Sequence, residues 1–150
     1  MHINLESDYA VRIVHCLSLE ATQKNDLETS RLDAQTIADR TSVSLRFTLK
    51  IMRKLVVADL VKSYKGARGG YTLARLPKDI TVRQVIEAVE GPYRFSRCMD
   101  GEYNCSCLSM DDCPFRDIFD EVTQLVIQKL DESNFDALSS GGALSSGNIN

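Results

Sequence analysis

No apolar run in the 150 residues approaches the roughly 20 residues that a membrane-spanning helix requires, so a membrane partner is not expected. The N-terminus, MHINLESDYAVRIV, lacks the positive charge and apolar block of a secretory signal, and a cytoplasmic location is expected. Tryptophan and internal repeats are both absent. No nucleophile–base pair and no paired carboxylates stand out, which argues against an enzyme with a small-molecule substrate. The glycines at 66–70 neither precede a Gly-Lys-Ser/Thr nor open a helix, which excludes a nucleotide-type phosphate loop. What is present, 43% apolar and 26% charged residues, suffices for a soluble globular protein that buries a core.

The net charge of −3 hides a division along the chain. Residues 40–83 hold eleven basic residues against only Asp59 and Asp79, a local charge of +9. Residues 98–136 hold ten acidic residues against Arg116 and Lys129, a local charge of −8. A polyanion would respond to the basic segment and not to the mean, so nucleic acid remains open as a partner.

Local signals divide that basic segment into recognisable parts. Ser7 is placed to cap a first helix, with Asp8 in its first turn, and Ala10, Ile13, Val14 and Leu17 follow as a buried stripe. Residues 20–31 (EATQKNDLETSR) lack periodicity and read as a polar surface loop. Asp33 is the next expected cap, bracketed by Leu32 and Ile37 as a hydrophobic staple, for a short helix ending near Thr41. After a turn at Ser42 and Val43, Ser44 caps a third helix that runs to about Val56. Thr48, Ile51, Met52 and Leu55 form its core stripe, and Arg46, Lys50 and Arg53 share another face. Two short helices joined by a tight turn, the second basic on its outer face, form a helix-turn-helix. A basic stripe alone is commonly just a solvated face; the tight turn and the element that follows favour DNA.

That element is a pair of strands, 60–65 (LVKSYK) and 71–75 (YTLAR), around Gly66-Ala67-Arg68-Gly69-Gly70. A hairpin with Lys65 and Arg68 at its tip, directly after such a helix, is the wing of a winged helix and would lie against phosphates or in a minor groove. Thr81 and Gln84 form a capping box for TVRQVIEAVE, stopped by Gly91-Pro92. Pro114 is expected at the first position of a long last helix with an apolar stripe of Phe115, Ile118, Val122, Leu125 and Val126. Little of its own chain is left for that stripe to pack on, so a homodimer is expected. The expected division is a winged-helix DNA-binding domain over 1–91, a cysteine-rich loop over 92–113, a dimerisation helix over 114–137 and a disordered tail over 138–150. The fold class is mainly α with a small β-hairpin.

Four of the five cysteines, Cys98, Cys105, Cys107 and Cys113, fall within 16 residues. Paired C-x2–4-C knuckles for zinc are missing, as is a C-x2-C-x2-C ferredoxin run. Disulfides sit badly with a cytoplasmic chain. An irregular loop of soft thiolates can wrap an iron–sulfur cluster, with zinc or a thiol/disulfide switch as alternatives. Cys16, alone on an apolar helix, reads as a small core residue.

The order DYAVRIV, SVSLRFTLKIMRKL, KGARGGYTLAR and then a cysteine loop running into a helix resembles the IscR/NsrR/RirA family. These are bacterial winged-helix regulators that sense iron–sulfur status, nitric oxide, iron or redox state. The resemblance covers about residues 1–135, and its most specific piece is the helix–wing stretch with Gly69-Gly70-Tyr71. It implies three cysteine ligands, the last two separated by five residues as Cys107 and Cys113 are, with Cys98 as the first. Phe119 stands where the family often has an aromatic. The histidine that IscR-type members carry three residues after the last cysteine is replaced by Arg116. Asp8 matches the aspartate that NsrR-type members supply across the dimer as fourth ligand. It serves equally as a first-turn carboxylate, and Cys105 is an extra thiol with no counterpart.

The resulting expectation is a homodimeric regulator that binds a double-stranded DNA operator through Ser44, Arg46, Lys50, Arg53, Lys65 and Arg68. An iron–sulfur cluster, 2Fe–2S or 4Fe–4S, is held by Cys98, Cys107 and Cys113 with Asp8 or Cys105 as fourth ligand. The rival of another class, a small iron–sulfur electron carrier, leaves the hairpin without a role.

Overall fold

Side-chain caps set where the helices begin. The computed structural model describes residues 3–99 and 113–141. In it Asn4 caps α1 (Leu5–Lys24), Asp33 caps α2 (Ala34–Thr41) and Ser44 caps α3 (Leu45–Val57). Each cap oxygen accepts from the backbone N–H three residues on, one of the donors that a first helical turn leaves open. Thr81 and Gln84 close the expected capping box at the start of α4 (Val82–Glu90). The first helix differs from expectation at both ends. Ser7 is not its cap: it is buried, and its hydroxyl donates to Glu90 on α4. Residues 20–24 continue the helix instead of forming a loop, because Ala21 is buried and Glu20 pairs with Lys24 one turn on and with Arg40 of α2. Asn25 then ends the helix in the left-handed region at φ 51°.

The helix α1 is the hub, packing on α2, α3, α4 and the C-terminal segment. Ile13, Val14 and Leu17 meet Ile37 of α2, Ile51, Met52 and Leu55 of α3, and Val85 of α4 in one core, all essentially inaccessible to water. The helix-turn-helix is held by the α2–α3 turn, where Ser42 takes a left-handed φ of 56° and Val43 N–H returns to the Ala38 carbonyl.

Strands β1 (Val61–Tyr64) and β2 (Gly70–Leu73) form the antiparallel wing, Val61 opposite Leu73 and Tyr64 opposite Gly70. Leu32, just before α2, pairs with Tyr71 through two backbone hydrogen bonds of 3.0 and 2.8 Å. That close approach explains Gly70. Its φ is +145°, and a Cβ there would lie 2.7 Å from the Leu32 carbonyl oxygen. A second tie comes from Arg31, whose guanidinium stacks 3.7 Å from the Tyr64 ring centroid.

Helix α5 (Arg116–Glu132) is the long last helix, but it begins two residues after Pro114, which lies in a turn before it. The chain then returns to the core. Val82 N–H donates to the Ser133 carbonyl, Phe135 N–H to the Ile80 carbonyl, and Asn134 caps a short α6 (Phe135–Ser139). Phe135 is fully buried against α1, where the Ser18 hydroxyl donates to its carbonyl at 3.2 Å. The disordered tail expected from 138 is therefore corrected at its start: Leu138 packs on the core and Ser139 hydrogen-bonds Ser18 at 2.7 Å. Residues 142–150 of that tail lie outside the described residues.

Candidate functional site

The outer face of α3 and the wing tip carry a group of exposed cations. Arg46, Lys50 and Arg53 are exposed on α3, and Lys65 and Arg68 are exposed at the hairpin tip. Ser44 is exposed as well, with its hydroxyl accepting from Phe47 N–H at 3.4 Å as the helix cap. Arg46, Arg53, Lys65 and Arg68 have no ion-pair partner among the described residues.

The other basic residues of the +9 segment are partly taken up inside the molecule. Arg40 pairs with Glu20, and Arg83 with Glu87 and Asp131. Glu6 of α1 receives Lys54 at 2.8 Å and Lys50 at 3.2 Å. The Lys54 ammonium, with Lys50 behind it, holds the Glu6 carboxyl below the usual carboxylate range against the upward push of burial. Lys50 differs from its neighbours in this respect: a phosphate would have to compete with a carboxylate already in place. The structure thus separates candidates that the sequence had grouped on one stripe.

Two of the cysteine candidates, Cys98 and Cys113, lie near α5. Cys98 lies in a single 3-10 turn, Arg97–Met99, that packs on α5, and its thiol is 3.1 Å from the Ser96 hydroxyl. Cys113 precedes α5 by three residues, and its carbonyl accepts from Arg116 N–H. Both are half-buried free thiols. Phe119 has Phe95 at 5.3 Å and Phe115 at 6.2 Å between ring centroids. Phe95 N–H donates to Thr123 on α5 at 3.2 Å, which fixes the strand of chain leading to Cys98. Cys105 and Cys107 lie outside the described residues, and among the described residues no three ligand-type side chains gather to hold a metal. Asp8 pairs with Arg12 one turn along α1 at 2.7 Å. Cys16 is buried, and burial pushes its thiol up, as suits a core residue.

Several contributors carried no sequence signal. Glu6 reaches α3 across 44 positions of chain, and Arg31 reaches Tyr64 across the hairpin. Tyr9 meets Phe47 edge-on with centroids 5.8 Å apart, joining α1 to the exposed face of α3. Only the side chain's type, not its target, is visible before folding.

Part of the expected apolar stripe faces water within one chain, while Val122 and Val126 are half-buried. Phe115, Ile118 and Leu125 are 61%, 55% and 60% exposed, and Thr123 is the only residue of the helix that is buried. No helix among the described residues is long and apolar enough to cross a membrane.

Comparison with known proteins agrees with this architecture. The model of the Rrf2 family, described as iron-dependent transcriptional regulators, matches residues 3–141. The chain is similar to the HTH-type transcriptional regulator NsrR of Shouchella clausii, 24% identical over 132 residues that cover 88% of this chain and 84% of that one. Among solved structures it is similar to CymR (YrzC), the global cysteine regulator of B. subtilis, with a TM-score of 0.73, 24% identity and coverage of 93% of this chain and 97% of that one. IscR of T. potens matches with a TM-score of 0.69, again at 24% identity, over 93% of this chain and 87% of that one. The hairpin and helix-turn-helix described above are the winged helix these proteins share. The chain belongs to the Rrf2 family and is a winged-helix regulator of transcription, not an enzyme.

Proposed function

We propose that the protein is a cytoplasmic homodimer that binds operator DNA through α3 and the wing. Cys98, Cys107 and Cys113 hold an iron–sulfur cluster whose state adjusts that binding. The observation that carries the DNA reading is the set of unpartnered cations on α3 and the wing tip. Arg46 lies in the first turn of α3, the part of a recognition helix that reaches base edges. Arg46→Ala is expected to cost about 1–3 kcal/mol and to relax preference at one base position. Lys65→Ala and Arg68→Ala should weaken every sequence and lower the salt slope by about one each, as lost phosphate contacts do. Lys50→Ala should cost less than Arg46→Ala, since Glu6 already occupies its ammonium. Fluorescence titrations at several salt concentrations check all four, and indifference of operator affinity to every change rejects the interface.

The dimer reading rests on α5, which presents Phe115, Ile118 and Leu125 to solvent along one side. An apolar stripe of this kind on a long helix is buried by a second copy in a symmetric dimer. Val122→Asp together with Leu125→Asp places two charges in that interface. The variant is expected to sediment as a monomer and to bind a two-half-site duplex on the order of 10²-fold more weakly, because the second half-site no longer adds its contacts. A wild-type chain that sediments as a monomer rejects this reading.

The donor set suits the cluster. Cys98 lies on a turn packed against α5 and Cys113 just before that helix, both free thiols, and two further thiols lie between them in sequence. A bound cluster supplies the sensitivity to oxidants, nitric oxide or iron supply. The chain's own residues provide the transmission. Helix α5 is fastened at its middle by Thr123 and Phe95, and at its end by Asp131 to Arg83 and by the return through Phe135. Helix α4 in turn touches α3, with Lys54 donating to the Val89 carbonyl at 2.8 Å. A shift at the cysteine end of α5 thus reaches the DNA-reading helix through packed elements, the physical requirement for coupling two sites. Isolation with zinc and no sulfide would favour the zinc or thiol alternative.

A further inference from the structure

The exposed face of α3 contains more apolar surface than a solvated cationic face needs. Leu45 and Phe47 are 40% and 37% exposed. With Leu49 they line a shallow hollow whose remaining walls are Arg46, Lys50 and Arg53. Phe47 belongs to the first turn of the helix, held at a defined height by the Ser44 cap that its own N–H completes. Its ring is oriented from α1: Tyr9 meets it edge-on at 82°, and the Lys50 ammonium lies 5.6 Å from its centroid. The ring is therefore steadied on one side while more than a third of the residue stays open to water.

An apolar ring framed by cations matches one feature of a DNA major groove. The thymine C5-methyl is the apolar group among the hydrogen-bonding base edges there, and the neighbouring base edges and phosphates answer the arginines. The charge around the hollow favours DNA over a protein surface, because Arg46 and Arg53 have no acidic partner among the described residues. We propose that Phe47, oriented by Tyr9, reads a thymine methyl in each half-site of the operator. This rests on α3 being the DNA-reading helix and goes further, assigning one base to one apolar contact.

The test uses duplexes selected from a random pool by the full-length wild-type chain, with each thymine then replaced singly by uracil, which lacks only the methyl group. One thymine per half-site is expected at which uracil weakens wild-type binding roughly fourfold, the worth of one buried methyl. Phe47→Ala should bind the parent duplex more weakly and show no uracil penalty at that position. Phe47→Gln, which keeps helix-forming length but not the apolar contact, should behave the same way and decides the matter if the alanine variant does not fold. Circular dichroism melts establish folding for both. The assignment is overturned if no thymine is sensitive, or if the penalty persists in the folded variants. Failure of the wild-type chain to enrich any sequence overturns the DNA reading beneath it, whereas enrichment without methyl sensitivity overturns Phe47 alone.

Discussion

Phe135→Ala is expected to destabilise the whole winged-helix unit by about 3–5 kcal/mol, the usual cost of removing a fully buried phenyl ring. The residue falls within the 114–137 span expected as one dimerisation helix, but α5 ends at Glu132 and the ring is wholly buried in the same core as Ile13, Leu17 and Ile80. Its backbone is tied as firmly: its N–H reaches Ile80, its carbonyl accepts from Ser18, and Asn134 beside it bridges to Thr81. Alanine would leave a cavity between α1 and the 3-10 turn Pro77–Asp79, against which α6 packs, and the surrounding helices could close it only in part. Urea unfolding followed by far-ultraviolet circular dichroism reads the change as a lower midpoint with little change in slope. A midpoint shift near zero would mean that α6 is a detachable appendage. The functional consequence is specific. The segment that Phe135 anchors is the C-terminal tether of α5, so loosening it should also weaken the response of DNA binding to the cysteine end.

The contrast between Phe135 and the helix-turn-helix shows which parts of this structure sequence reasoning can reach. Asp33, Ser44 and Thr81 cap the helices they precede, because capping is settled within four residues of chain. The core stripes of α1 and α3 and the glycine-marked wing are equally local, and all are found where the pattern puts them. The misreadings come from partners far along the chain. Ser7 is an acceptable cap by type, but Asn4 takes that place and Glu90, from another helix, takes the Ser7 hydroxyl. Residues 20–24 show no apolar period since their helix is held by ion pairs to Lys24 and Arg40 as well as by burial. Phe135 is flanked by Asn134 and Asp136, with Ala137 and Leu138 the apolar residues nearest to it, and nothing local reveals that the chain folds back. The site follows the same rule. Arg46, Arg53, Lys65 and Arg68 are exposed where the spacing puts them, whereas the engagement of Lys50 by Glu6 depends on how α1 lies against α3.

Serine in place of Cys98, Cys107 or Cys113 is expected to abolish the visible colour of protein purified anaerobically, together with its iron and sulfide. A ligating thiolate must be deprotonated and held in place, so loss of one usually means loss of the cluster. Cys98 lies on a turn packed against α5 and Cys113 on the approach to that helix, the proposed first and last ligands. Cys16→Ser should leave the colour intact, because that thiol is buried in the core between α1 and its neighbours. The fourth ligand is decided by comparing Asp8→Ala with Cys105→Ala. Asp8 is held by Arg12 at 2.7 Å within its own chain, so it can serve only by releasing that guanidinium. If Asp8→Ala alone alters the spectrum, the site takes a ligand from the first helix, two residues from the Glu6 that grips Lys50 and Lys54. Cluster loss would then free the start of α1 and act on α3 directly. If Cys105→Ala alone alters it, the site is closed within one loop, and the signal must travel along α5 through its ties to Arg83 and Phe135. In that case Arg83→Ala should uncouple DNA affinity from cluster state while leaving the colour unchanged. Persistence of full iron and sulfide content in all three serine variants would refute the ligand set.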